Sequence, residues 1–214
     1  IELLETLVER NPEAKALAAS LALTLSKLGI LYRDTGQNKL ADRSFNRAIE
    51  LRETLVKRNP EATAFAEGLA ATLSVLGELQ YTGGRIEAGE RSYTRAIELR
   101  ESLAKRNPEL TAFAEGLASN LTILGKLQSV TGRLGAAEHS YLRAGELYES
   151  LVKRNPETIE FADDLVVALD YLSNQQSRAG RSEAALASWA RPRPSRGAPP
   201  KRYPLAFEVC VSLQ

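Results

Sequence analysis

Arg58-Asn59-Pro60-Glu61 begins a 48-residue segment that recurs through most of this 214-residue chain. The same four residue types begin at positions 10, 106 and 154, so successive copies are separated by a constant step of 48 residues. Other columns keep this step: glycine at 36, 84, 132 and 180, and an aromatic residue at 45, 93, 141 and 189. Segments 58–105 and 106–153 agree at well over half of their positions without a gap. The chain therefore arose by duplication, and its fold is that of a repeat array.

Each copy has the pattern of two antiparallel helices. The first half of the second copy carries apolar residues spaced by three or four, which predicts one helical face over 60–82: Phe65, Leu69, Leu73, Leu76 and Leu79. Gly83-Gly84 then ends the helix, because glycine adopts the left-handed conformation without a Cβ clash. A second apolar stripe predicts another helix over 85–105. No segment alternates with period two before residue 205, so we predict an all-α body.

The connection between copies has the composition of a helix end followed by a helix start. Lys105 and Arg106 complement the carbonyl end of the helix dipole. We expect Asn107 to leave the helix and cap the next one, with Pro108 in its first turn.

Within each copy, small and aromatic residues follow a spacing that resembles the tetratricopeptide repeat. The second copy carries it at Leu76-Gly77, Gly84, Gly89, Tyr93 and Ala96. The first and third copies keep the pattern, whereas the fourth has Ser173 and Pro192 in place of small residues. This unit is 14 residues longer than the usual 34, about four helical turns, which lengthens both helices without rotating their apolar faces. The resemblance implies a right-handed α-solenoid of antiparallel helix hairpins, similar to long-helix bacterial arrays within larger signalling or regulatory proteins.

The repeat step divides the chain into successive segments. We predict a half helix at 1–10, hairpins at 11–58, 59–106, 107–154 and 155–190, and a tail at 191–214. Residues 1–10 match 49–58, the second half of a second helix, so we expect further repeats upstream.

The tail breaks the pattern with five prolines after residue 190, which must end the last helix there. Three interpretations stay open: a disordered or loosely packed end, a non-native end produced by a reading-frame shift or by cloning, and a functional strand. The strand would alternate Phe207, Val209, Val211 and Leu213 with polar neighbours.

Composition excludes more functions than it identifies. Twenty-eight basic against 27 acidic residues give a net charge of +1, so no global field favours nucleic acid. One cysteine (Cys210) and one histidine (His139) leave no disulfide framework or zinc cluster. No run of 18 apolar residues predicts a membrane span. No phosphate loop or nucleophile elbow occurs, so we expect no enzymatic activity, no cofactor and no metal. The expected location is the cytoplasm.

In the tetratricopeptide family the first helix of each pair lines a concave face, and the resemblance therefore implies a binding groove there. The columns that would face this groove are small, polar and of mixed sign, which suits a protein or peptide partner. The candidate groove residues are Arg33, Ser74, Glu78, Tyr81, Thr122, Lys126, Asp170 and Asn174.

A neighbouring column holds Gln80, Gln128 and Gln176, which either hydrogen-bond an extended ligand or satisfy adjacent turns. Some members of the family grip a terminal carboxylate with Lys and Asn of neighbouring first helices. Here the matching columns contain Ser26, Ile30 and Val75, so we expect no clamp of that kind.

These features favour a non-enzymatic protein-binding scaffold. The alternative is a sensor or regulatory segment of a larger multidomain signalling protein, which holds an attached domain inactive until a ligand binds. A third hypothesis is self-association through apolar ends. The residues expected to be exposed at those ends are Leu3, Leu4 and Leu7, and Leu165, Val166 and Leu169.

Overall fold

The computed structural model describes residues 2–11 and 14–191, and within these ranges the chain forms nine α-helices joined by short turns. The helices are α1 (Glu2–Arg10), α2 (Lys15–Asp34), α3 (Asn38–Arg58), α4 (Thr63–Thr82), α5 (Ile86–Arg106), α6 (Thr111–Val130), α7 (Leu134–Arg154), α8 (Ile159–Arg178) and α9 (Ser182–Trp189). No strand occurs in the ranges just given. The predicted all-α fold of antiparallel helix hairpins is confirmed there, whereas the three interpretations of the tail fall outside the described residues beyond Arg191.

Each hairpin turns at a glycine with positive φ. Gly36, Gly84, Gly132 and Gly180 have φ between 74° and 77°. At the second turn, the Arg85 N–H donates to the Gln80 carbonyl at 2.8 Å and the Gly84 N–H donates to the Tyr81 carbonyl at 3.0 Å. These two bonds satisfy carbonyls at the end of α4 and reverse the chain into α5.

The asparagine between copies caps the helix that precedes it, so the prediction that it caps the next helix is wrong. Asn59 Nδ2 donates to the Leu55 carbonyl at 3.0 Å, and Asn107 Nδ2 donates to the Leu103 carbonyl at the same distance. The next helix begins only at Thr63, without a side-chain cap. The proline therefore lies in the connecting turn and not in the first turn of the helix.

The chain divides into two compact units, Ile1–Asn120 and Leu121–Gln214, with the boundary inside α6. In the first unit, α3 and α4 bury a continuous apolar cluster that includes Phe45, Ile49, Leu69, Leu73, Leu76 and Leu79. A second cluster joins Leu21, Leu25 and Ala48, with Leu4 and Val8 of α1 packed against it.

In the second unit, α8 packs against both α7 and α9. Leu165, Val166 and Leu169 of α8 are 2%, 8% and 0% exposed. The prediction that these three residues form an exposed apolar end is therefore wrong: α7 lies against this part of α8, and a Cβ placed on Gly145 of α7 would be 3.5 Å from Leu169 Cδ2. At the other end, Leu4 and Leu7 are half-buried, and the side chain of Leu3 lies outside the described set.

By length and composition alone, α2 could cross a membrane. In the structure, α2 packs against α1, α3 and α4 and buries Leu21, Ala22, Leu25 and Gly29. A packed core helix satisfies the same length and composition criteria.

Candidate functional site

Close contact between glycine and an aromatic ring sets the separation of the two helices in a hairpin. A Cβ placed on Gly77 of α4 would lie 2.9 Å from the Tyr93 ring of α5 and 3.2 Å from the Gly89 carbonyl. A Cβ on Gly125 of α6 would lie 2.6 Å from the Tyr141 ring of α7. The fourth copy has Ser173 instead, whose hydroxyl donates to the Ala185 carbonyl of α9 at 2.9 Å. These contacts explain why the pattern requires small residues where two backbones meet.

In the first unit, polar side chains join each first helix to the next one. Ser26 Oγ lies 3.3 Å from Thr72 Oγ1, which links α2 to α4. Arg33 Nη1 donates to Glu78 Oε2 at 2.9 Å across the same pair of helices. One copy later, Ser74 Oγ lies 3.0 Å from Asn120 Oδ1, which links α4 to α6. The partners are 45 or 46 residues apart, so the first helices of this unit lie side by side in a fixed register.

The second unit joins α6 to α8 by a similar lateral contact. Ser129 Oγ donates to Gln175 Oε1 at 2.9 Å and accepts from Arg178 Nη1 at 2.6 Å. Lys126 Nζ lies 4.5 Å from the centre of the Tyr171 ring, a cation–π contact.

The predicted groove residues lie on the first helices, but they differ in accessibility. Arg33 and Glu78 form an ion pair with each other, and Thr122 is buried at 8% exposure. Tyr81 is half-buried, whereas Asn174 is exposed. The others have neighbours in the protein: Ser74 at Asn120, Lys126 over Tyr171, and Asp170 in an electrostatic or hydrogen-bonding contact. Much of the candidate surface therefore holds adjacent repeats together.

Each glutamine of this column hydrogen-bonds a side chain of a second helix, which belongs to the same hairpin for Gln80 and Gln128 and to the preceding hairpin for Gln176. Gln80 Oε1 accepts from Ser92 Oγ at 2.7 Å, and Gln128 Oε1 accepts from Ser140 Oγ at 2.8 Å. Gln176 Nε2 donates to Glu138 Oε1 at 3.1 Å. Of the two interpretations left open for this column, these contacts support the structural one.

A buried arginine network in the first unit was missed by sequence reasoning. Arg100 of α5 is 7% exposed, and its Nη2 donates to Glu67 Oε1 of α4 at 2.6 Å. Its Nη1 donates to Ser74 Oγ at 3.2 Å and to the Gly116 carbonyl of α6 at 3.3 Å. A Cβ on Gly116 would lie 2.7 Å from Arg100 Nε, so the glycine provides room for the guanidinium. The repeated Glu-Gly pairs at 67–68 and 115–116 were the available signal.

The corresponding place in the second unit contains a tyrosine and a carboxylate. Tyr148 hydrogen-bonds Asp164. Burial and the adjacent charge of Asp163 raise the pKa of Asp164 above its ordinary value, an effect that the Tyr148 hydrogen bond opposes. Asp164 is half-buried.

Metal-ligating side chains do not cluster in the described part of the chain. Among residues 2–11 and 14–191, no group of three His, Cys, Asp or Glu side chains could hold a metal ion. His139 is exposed on α7, as expected of a surface residue, and Cys210 lies outside the described ranges.

Comparison with known proteins identifies one repeat directly. The family model for the tetratricopeptide repeat matches residues 22–55, from within α2 to the last turns of α3. No curated protein sequence matches the chain. The crystal structure of BtubC (BKLC) from P. vanneervenii is 17% identical, with 92% of each chain covered and a TM-score of 0.48. The crystal structure of MamA is also 17% identical, with 87% of this chain and 80% of that chain covered and a TM-score of 0.43.

The matched stretch contains Gly29, Gly36 and Phe45, whose counterparts recur at steps of 48 residues in the second and third hairpins. A Cβ on Gly29 would lie 2.7 Å from the Phe45 ring, the same close contact found in the second and third copies. Residues 22–55 therefore match a tetratricopeptide repeat, and the second and third hairpins repeat its glycine–ring contact.

Proposed function

We propose that this chain is a non-enzymatic scaffold, located in the cytoplasm, that binds a protein or peptide across the first helices of its hairpins. Tetratricopeptide repeats generally mediate protein–protein interaction and are typically non-catalytic. In arrays of this family the first helices form the concave binding face, which is where we place the partner.

The lateral joining of the first helices is the observation that carries this proposal. Ser26–Thr72, Arg33–Glu78 and Ser74–Asn120 in the first unit hold neighbouring first helices in register. A surface whose side chains are already ordered loses less conformational entropy when a partner binds, so more of the contact energy appears as affinity. The face is polar and of mixed sign, as expected for the hydrogen bonds that an extended or helical peptide offers.

The proposal is tested by substitutions that leave the lateral contacts intact. Tyr81→Ala in the first unit and Asn174→Ala in the second remove groups that are partly or fully exposed on first helices. Thr94→Ala and Ser150→Ala are the matched controls, because both residues are exposed on second helices.

A partner recovered on the immobilised protein would be titrated against each variant by calorimetry. We expect at least one first-helix change to weaken binding about tenfold, equivalent to about 1.4 kcal/mol, with both controls unchanged. Loss of binding in the controls, with both first-helix variants unaffected, would place the partner on the opposite face and contradict the proposal.

A further inference from the structure

Arg52 of α3 stands 48 residues before Arg100, in the same position of the preceding copy. Both guanidinium groups lie against a glycine of the next first helix: a Cβ on Gly68 would collide with Arg52 Nη1, as a Cβ on Gly116 would with Arg100. The two arginines therefore project into equivalent spaces between their neighbouring helices.

The surroundings of the two arginines differ in one group. Arg100 is neutralised by Glu67, and the residue 48 positions before Glu67 is Ala19 of α2. Within the described part of the chain, Arg52 forms no ion pair, and its Nε is buried without a hydrogen-bond acceptor. Burial lowers the pKa of Arg52 from its ordinary value. A buried donor without an acceptor destabilises the folded state, and more so when the group is charged.

A carboxylate is the acceptor that the next copy supplies, where Glu67 pairs with Arg100. In the copy after that, Tyr148 replaces the arginine and hydrogen-bonds Asp164, which occupies the register position of Gly68 and Gly116 rather than that of Glu67. Ala19 stands at the register position of Glu67 and carries no carboxylate. Arg52 is half-buried, whereas Arg100 is buried. A planar guanidinium with free N–H donors matches a carboxylate in geometry as well as in charge.

We propose that Arg52, between Ala19 and Gly68, is a binding site for a carboxylate group of a bound protein or peptide. The carboxylate, from an acidic side chain or from a chain end, takes the position that Glu67 occupies beside Arg100. This site rests on the proposed protein-binding function, and it lies at a second-helix arginine rather than among the first-helix groove residues.

The geometry is tested first without any partner. Ala19→Glu places a carboxylate where the repeat register predicts contact with Arg52, and Ser20→Glu, at an exposed neighbouring position of α2, is the matched control. At pH 7 we expect Ala19→Glu to raise the midpoint of urea denaturation above that of the wild type and of Ser20→Glu. The gain should vanish in an Arg52→Gln background, and also below about pH 4, where a glutamate is protonated. Equal midpoints for the two glutamate variants would overturn the proposed geometry.

Binding is then measured on the ¹⁵N-labelled full chain through the Nε–H signals of its arginines. The Arg52 signal is identified by its loss in Arg52→Gln. The probes are N-acetylglycine, which offers a terminal carboxylate, and the α-amide of N-acetylglutamate, which offers a side-chain carboxylate, each compared with chloride at equal ionic strength.

We expect a saturable shift of the Arg52 signal with at least one carboxylate probe, and loss of that shift in Ala19→Glu. The probe that acts identifies the source of the carboxylate. A shift no larger than chloride produces, or an equal shift at Arg100, would refute the site. Because neither experiment uses a protein partner, its failure would leave the proposed scaffold function standing.

Discussion

At Gly125 the absence of a side chain allows α6 and α7 to approach closely. The Tyr141 ring occupies the volume that any side chain at this position would need. Tyr141 is 2% exposed and also stacks on Tyr171, with ring centres 5.4 Å apart, so it has little freedom to move away. The cost of a methyl group here is therefore set by the rigidity of its neighbour.

We expect Gly125→Ala to lower the free energy of unfolding by about 1–3 kcal/mol, the usual cost of overpacking a core. Gly135→Ala is the control, because a Cβ on Gly135 in α7 meets nothing within 4 Å. In an open helical site alanine is favoured over glycine, so the control should be neutral or stabilised by up to about 1 kcal/mol. Urea denaturation of both variants measures the difference, and equal stabilities would show that the ring moves aside freely.

At the scale of the helix, the asparagine that follows α5 satisfies one of the last carbonyls of that helix. Asn107 Nδ2 donates to the carbonyl of Leu103, which also accepts from the Asn107 backbone N–H at 2.9 Å. The side chain thereby continues the hydrogen bonding of α5 beyond the point where its backbone departs from helical geometry.

Asn107→Ala should therefore destabilise the protein by about 0.5–1.5 kcal/mol, the net contribution of one hydrogen bond. Asn46→Ala, at an exposed site within α3, is the matched control. Because alanine is the better helix former, the control should gain up to about 0.7 kcal/mol. Thermal or urea unfolding distinguishes the two, and a loss of the same size at Asn46 would show that the cap contributes nothing.

The elements that the sequence predicted well are those whose partners lie within one copy. Gly77 and Tyr93 belong to the same hairpin, so their spacing along the chain already indicates the contact. The Arg100 network could not be predicted, because its partners come from two other helices and include Gly116 of the next copy. The exposed end expected at Leu165 was wrong for a related reason, since the burial of α8 depends on its packing against α7 of the preceding copy.

At the scale of the whole molecule, stability in a repeat array is approximately a sum of unit and neighbour terms. A defect should therefore weaken the copies it contacts more than distant ones. Leu73, 1% exposed in α4, packs within the apolar cluster of the first unit.

Leu73→Ala should cost about 2–5 kcal/mol, the range for removing a buried leucine side chain. Hydrogen exchange followed by mass spectrometry should show faster exchange in α3, α4 and α5, with much smaller changes in α8. Equal loss of protection along all the described helices would indicate a single cooperative unit and contradict the additive description.

The hydrogen bonds between neighbouring first helices connect residues that lie about one period apart. A first helix can therefore take part in two of them, one with the preceding first helix and one with the next. In α4, Ser74 hydrogen-bonds Asn120 of the next first helix, and Thr72 hydrogen-bonds Ser26 of the preceding one. An unequal crossover that removes the one period between α2 and α6 would place Ser26 opposite Asn120, so that a hydroxyl would again face a hydrogen-bonding partner. A change of length by any other number of codons would move these side chains out of register and leave hydrogen-bond donors between the first helices without acceptors. The array is thus built so that its length can change in evolution by entire repeats.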